Sequence, residues 1–230
     1  MRIAPRLIAL AALSAACSAA SAATIEVYND ATDTLLGTVE SFNTSLSISV
    51  FYQYNSPDFA SYNGDENGGP APISNVTQIF FVDSDVDGLA MLLVHDVPND
   101  STGGDVTTTW TLANDSALFL QRDDDPGNDN YSDAGPNTFT ARHQWGTCCT
   151  DGFAIGALDG NWVMTGGFIA GQGVVDWQAT SSLPGDDVLL DPSLGSPTAF
   201  GVVRFQGVPV PAPLLMLGAG LVLLAGRRRG

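Results

Sequence analysis

The chain has 230 residues, with 25 acidic side chains against eight arginines, no lysine, and a formal net charge of −17. All of the acidic residues, but only Arg122, Arg142 and Arg204, fall between residues 24 and 207, so that stretch carries a formal charge of −22. This excess argues against nucleic acid and anionic lipid headgroups as partners. A hydrophobic content of 44% argues against disorder by composition.

At the N-terminus, Arg2 and Arg6 precede an apolar run from Leu7 to Ala16 and then small residues through Ala23. That order of charged, apolar and small residues is the pattern of a secretory signal peptide. The run is too short for a bilayer, which needs about 20 residues. Cleavage is expected after Ala23, with Ser21 in the small-residue position before it, or after Ala22, with Ala20 in that position. A lipoprotein reading would make Cys17 the lipid acceptor, but Leu13 stands one place too far from it.

Between residues 24 and 207, short strands alternate with Gly, Pro, Asn and Asp clusters. Strands are expected at Thr24–Asn29, Leu46–Tyr54, Thr77–Asp83, Leu89–His95, Thr107–Leu112, Ala117–Arg122, Thr138–Trp145, Phe153–Leu158, Asn161–Phe168, Val174–Thr180 and Thr198–Phe205. In the second of these, Leu46, Ile48, Val50 and Tyr52 alternate with Ser47, Ser49, Phe51 and Gln53, a period of two. Long loops are expected at Ser56–Ser74 and Asp123–Asn137, with a Pro/Gly-rich stretch near 184–197. The fold class is therefore all-β: an antiparallel β-sandwich, of which a jelly roll is one specific version. A signal helix stands before it and a C-terminal hydrophobic helix after it. The expected organisation is 1–23 signal peptide, 24–207 β-sandwich ectodomain and 208–230 C-terminal sorting signal.

Two acidic groups have calcium-like chemistry. Asp83-Ser84-Asp85-Val86-Asp87-Gly88 has the D-x-D-x-D-G opening of a calcium loop, in which alternate carboxylates face one side of a tight turn. Val94 occupies the closing position where an EF-hand needs an acid, which leaves Asp96 as a distant ligand; an ordinary Asp/Gly turn is the competing reading. Asp123, Asp124, Asp125, Asp129 and Asp133 crowd beside Arg122, and like charges this close need a cation or solvent between them. The calcium ligands read from these groups are Asp83, Asp85, Asp87, Asp123 and Asp125, and Ca²⁺ is the only cofactor the sequence suggests.

After removal of Cys17 with the signal peptide, only the adjacent pair Cys148-Cys149 remains. A vicinal disulfide, two free thiols and bonds to a second molecule are the alternatives in an oxidising compartment. For catalysis, His95 and His143 are the only imidazoles, and neither G-x-S-x-G nor HExxH occurs. His143 lies five or six residues before the cysteines, so a Cys–His pair across a hairpin is the one nucleophile–base arrangement on offer. An acidic neighbourhood opposes the thiolate it would need. Trp110, Trp145, Trp162 and Trp177 suit a core, whereas Tyr62 and Tyr131, in polar loops, are the candidates for exposed sugar-stacking faces.

At the C-terminus, Val208-Pro209-Val210-Pro211-Ala212 precedes an apolar stretch from Pro213 to Gly226 and then Arg227, Arg228 and Arg229. As a helix those 14 residues span roughly 21 Å, against a hydrocarbon core of about 30 Å. The arginines hold that end on the cytoplasmic side. This tripartite tail resembles the VPLPA-CTERM variant of the PEP-CTERM sorting signals of Gram-negative bacteria, with Val210 where the motif has Leu. The resemblance implies transient residence in the inner membrane, processing by an exosortase-type transpeptidase, and transfer to the cell envelope or release. The segment from Asp83 to Phe168 resembles ectodomains that carry such tails. It does so through Asp124-Asp125-Pro126-Gly127, Cys149-Thr150-Asp151-Gly152 and Gly156-Ala157-Leu158-Asp159-Gly160-Asn161-Trp162. That family implies no defined enzymatic activity.

The sequence thus describes a non-enzymatic, exported envelope or extracellular-matrix protein, for which the resemblance of the tail implies a setting of extracellular polysaccharide. A calcium-dependent carbohydrate-binding module is the alternative.

Overall fold

A computed structural model describes residues 22–54, 62–123, 129–135, 137–190 and 201–208. In chain order the elements are β1 (Thr24–Asn29), β2 (Thr34–Glu40), β3 (Phe42–Thr44), α1 (Ile48–Tyr52), a 3₁₀ turn (Gly64–Asn67), β4 (Val76–Ser84), β5 (Gly88–His95), β6 (Gly104–Ala113) and β7 (Leu118–Arg122). They continue as β8 (Asn130–Asp133), β9 (Thr138–Trp145), β10 (Asp151–Leu158), β11 (Val163–Gln172), β12 (Asp176–Thr180), β13 (Val188–Leu189) and β14 (Val203–Gly207).

The strands form two sheets that pack as a sandwich. The first runs β2-β1-β14-β11-β6-β9-β8 and is antiparallel throughout. The second runs β13-β12-β4-β5-β10-β7. Its β4 takes two parallel neighbours on one edge, β12 along Val76–Phe80 and β3 along Val82–Ser84, so this sheet is mixed rather than purely antiparallel.

Period-two patterning explains β9. Phe139, Ala141, His143 and Trp145 point inward, while Thr140, Arg142 and Gln144 face outward or toward the rim. The main core joins Ile25, Trp110, Phe168 and Phe205 of the first sheet to Ile79, Phe81, Met91, Phe153 and Trp177 of the second. Each such side chain contributes roughly 1.5–3 kcal/mol on burial. In β4 and β5 the apolar run is continuous, because both faces are covered: Ile79 and Phe81 enter the main core, and Phe80, Val82, Leu92 and Val94 enter a second cluster.

Helix α1 builds that second cluster, and it corrects the strand expected at Leu46–Tyr54. Ser47 caps the helix through its side chain and Val50 N. The carboxylate of Asp87 accepts from Ile48 N at 2.7 Å. Gln53 then closes the helix in the left-handed region, with φ 54°. Ile48, Phe51 and Tyr52 are buried, at helical spacing i, i+3 and i+4, whereas Val50 is 55% exposed. A strand could not have buried Phe51 and Tyr52 on one face.

The expected loop 123–137 contains β8, and the stretch near 184–197 contains β13. The sorting-motif residues Pro209, Val210, Pro211 and Ala212, the arginines Arg227, Arg228 and Arg229, Asp125, Cys17 and the first 21 residues lie outside the described residues. Among the described residues, no helix is long and apolar enough to cross a membrane.

Candidate functional site

The polar side chains that the sheets bring together lie at one end of the sandwich. His95 ends β5, His143 sits on β9 and Tyr131 on β8; Asp123 follows β7 and Asp151 opens β10. Both imidazoles are fully buried, as are Asp123 and Asp151. Thr77 Oγ1 meets His95 Nδ1 at 2.8 Å, His95 Nε2 meets His143 Nδ1 at 2.9 Å, and His143 Nε2 meets the Tyr131 hydroxyl at 3.2 Å.

Counting protons orients this chain. The single Tyr131 proton has three acceptors on its far side: the carbonyls of Asp123 (2.9 Å) and Gly152 (3.0 Å) and Asp129 Oδ2 (3.2 Å). The hydroxyl lone pairs are then left for Asp123 N–H at 2.8 Å and for His143 Nε2–H. His143 Nδ1 is therefore the acceptor from His95 Nε2–H, and Thr77 donates to His95 Nδ1. This assignment requires both rings to be neutral. Burial holds the His143 imidazole down to about 3, and burial, then the neighbouring His143, holds His95 well below its ordinary value. The Tyr131 phenol is pushed up by burial and by the charges of Asp129 and Asp123.

Neighbouring contacts fix this row of groups. Trp145 stacks on His95 with ring centroids 5.2 Å apart, and its Nε1 donates to Asp96 Oδ2 at 3.1 Å. Tyr52, at the end of α1, donates to Asp123 Oδ2 at 2.8 Å. Gly152 makes room for that contact: a Cβ there would lie 2.8 Å from the Tyr52 hydroxyl and 2.1 Å from Leu93 O.

Of the expected calcium ligands, Asp83, Asp85 and Asp87 share the β4–β5 turn, Asp123 follows β7, and Asp125 lies outside the described residues. Ser84, not an aspartate, organises the β4–β5 turn: its Oγ accepts from Val86 N and Asp87 N, both at 3.1 Å, and donates to Leu46 O at 2.6 Å. Asp87 is engaged by Ile48 N, Asp85 is exposed, and Asp83 is half-buried, its carboxyl raised by burial and then by Asp85. Asp96 lies past the far end of β5, about 25 Å along an eight-residue strand. Its carboxylate there accepts from Asn75 N, Val97 N, Thr102 Oγ1 and Trp145 Nε1. Helix α1 bridges the two acidic regions, with its first N–H on Asp87 and its last side chain on Asp123. Among the described residues, no three His, Cys, Asp or Glu side chains are grouped to hold one metal ion.

Cys148 and Cys149 are bonded to each other in the β9–β10 connection, with Cys148 exposed and Cys149 half-buried. Both His143 nitrogens are engaged by His95 and Tyr131, so the Cys–His pair offered by the spacing is not formed. The expected exposure of Tyr62 and Tyr131 is corrected as well. Tyr62 is 2% exposed, donates its N–H to Thr150 Oγ1 and packs on Tyr52 and Phe80. Tyr131 turns inward because β8 pairs it with Ala141. All four tryptophans are buried. The sequence hides the network because its members come from separate segments, α1, β4, β5, β8, β9, β10 and the residue after β7; only the inward parity of His143 in β9 is visible there.

No known protein family, curated protein or solved structure matches this chain. Its chemistry has to be read from these contacts, which describe a buried hydrogen-bonded row of two imidazoles and a phenol.

Proposed function

We propose that the chain is an exported envelope or extracellular-matrix protein with a non-enzymatic role. A leader ending at Ala22 or Ala23 would act as its signal peptide, and 208–230 as a sorting signal ending in a hydrophobic helix and Arg227, Arg228 and Arg229. One observation carries this reading: β1 and β14 are antiparallel neighbours, and Val208 N donates to Thr24 O at 3.0 Å. Both chain ends therefore leave the sandwich side by side at one corner. Processing at either end leaves the paired strands whole. An exosortase-type transpeptidase would meet its motif immediately beyond the last strand.

The surface suits an aqueous, salt-containing exterior. Each of the three arginines between 24 and 207 is ion-paired: Arg122 with Asp133, Arg142 with Asp105, and Arg204 with Asp30 and Asp33. With three arginines against 25 acidic residues in that stretch, most of its charge has to be balanced by solvent ions. The calcium-dependent carbohydrate-binding alternative draws no support from the aromatic side chains, since the tryptophans and Tyr62 are in the core.

The test is the fate of the full-length product in a Gram-negative host that has the sorting enzyme. The expected outcome is an exported chain that has lost mass at both ends. A full-length product retained in the cytosol would overturn the proposal.

A further inference from the structure

Two bonds, after Ala22 and after Ala23, satisfy the small-residue rule for leader removal. The fold treats the two residues differently. Ala23 N donates to Ser41 Oγ at 2.8 Å, and Ala23 O accepts from Ser41 N at 2.9 Å. Its side chain packs against the main core. Ser41 is itself buried, at 1% exposure. One residue on, Thr24 Oγ1 donates to Glu40 Oε1 at 2.6 Å, and Thr24 O receives Val208 N.

From this geometry we infer that the leader is cut between Ala22 and Ala23, and that Ala23 is the first residue of the working domain. The inference rests on the export reading above and deepens it. Hydrolysis of the Ala22–Ala23 peptide bond by one water leaves a carboxylate on Ala22 and an α-amine on Ala23. As an ammonium, that amine still donates to Ser41 Oγ, and the Ala23 carbonyl still receives Ser41 N. A cut one residue later removes both partners of a buried serine and leaves its N–H unpaired. It also discards an alanine that covers the core. In a domain whose other cations are three ion-paired arginines, the ammonium adds a positive charge next to the β2 edge that carries Glu40.

The experiment uses the whole precursor with its own leader, exported by a Gram-negative host and read by N-terminal sequencing of the recovered protein. A first residue of Ala23 is expected. A start at Thr24, or at a lipid-modified Cys17, overturns this inference and leaves export standing. A start at Met1 overturns export itself, and the inference with it. Ser41→Ala in the same precursor is a second arm. It should leave the cleaved bond unchanged and lower the melting temperature by a few degrees; an unchanged melting temperature overturns the structural role given to Ala23.

Discussion

His95 and His143 share one proton between Nε2 and Nδ1 at 2.9 Å, inside a β-sandwich and with no solvent on either ring. Acid is therefore expected to weaken this fold through its imidazoles. Burial depresses both histidines in the folded state, His143 to about 3, while in the unfolded chain each returns to about 6.5. Below that value the unfolded state binds the extra protons, so stability is intact above about pH 6.5 and falls as the pH drops toward 3. Each histidine contributes a slope of up to about 1.4 kcal/mol per pH unit in that window. Melting curves from pH 7.5 to 4 should show the decline, and His143→Gln should flatten it. A melting temperature indifferent to pH between 6.5 and 4 would contradict neutral buried rings.

Tyr52 ties α1 to the buried Asp123 carboxylate. Removing only that hydroxyl, in Tyr52→Phe, leaves Asp123 short of one donor and should cost about 1–3 kcal/mol. Val50→Ala, on the exposed side of the same helix, should stay within about 0.5 kcal/mol. Urea denaturation of both variants reads the difference. Equal values would mean that the Tyr52–Asp123 contact carries no weight.

The burial of Trp110, Trp145, Trp162 and Trp177 has a spectroscopic consequence. Native fluorescence should peak at short wavelength, and iodide should quench it little until the protein is denatured. An oligosaccharide that stacked on a tryptophan would have to alter that emission. Strong iodide quenching of the native protein would place at least one indole at the surface.

Several of these contacts were legible in the residues and others were not. The strands expected at Thr24–Asn29 and Thr138–Trp145 have the same bounds as β1 and β9 in the structure. In Leu46–Tyr54, periods of two and of 3.6 fit the same few apolar residues. The helix wins there because Ser47 and Asp87 cap it and because β4 and β5 present an apolar outer face to be covered. β2 reads TLLGTVE and sits at a sheet edge, where Gly37 and exposed polar residues leave little pattern. The histidine pair joins positions 48 residues apart, and strand order is the information a single sequence does not hold.

The Cys148–Cys149 bond closes the shortest loop a disulfide can close. Its effect on the entropy of the unfolded chain is accordingly small. Thiol titration of the denatured protein should find none of these thiols before reduction and both after it, and the chain should run as a monomer without reductant. The folded protein should melt at nearly the same temperature with and without a dithiol reductant. Two reactive thiols in the unreduced protein, or a reductant-sensitive dimer, would exclude the bond.

Asp87 separates a structural role for the β4–β5 turn from a metal-binding one. Its Oδ2 accepts from Ile48 N, the first donor of α1, so the carboxylate acts with Ser47 in capping the helix. Asp87→Ala should therefore destabilise the protein by about 0.5–2 kcal/mol, the usual cost of a lost cap. That loss should be the same in EGTA and in millimolar calcium, because the work is done by a backbone N–H. Asp85→Ala, at an exposed carboxylate in the same turn, should change stability by less than about 0.5 kcal/mol in either condition. If calcium raised the melting temperature of the parent protein, and both substitutions abolished that rise, the turn would be a cation site and the capping argument would fail.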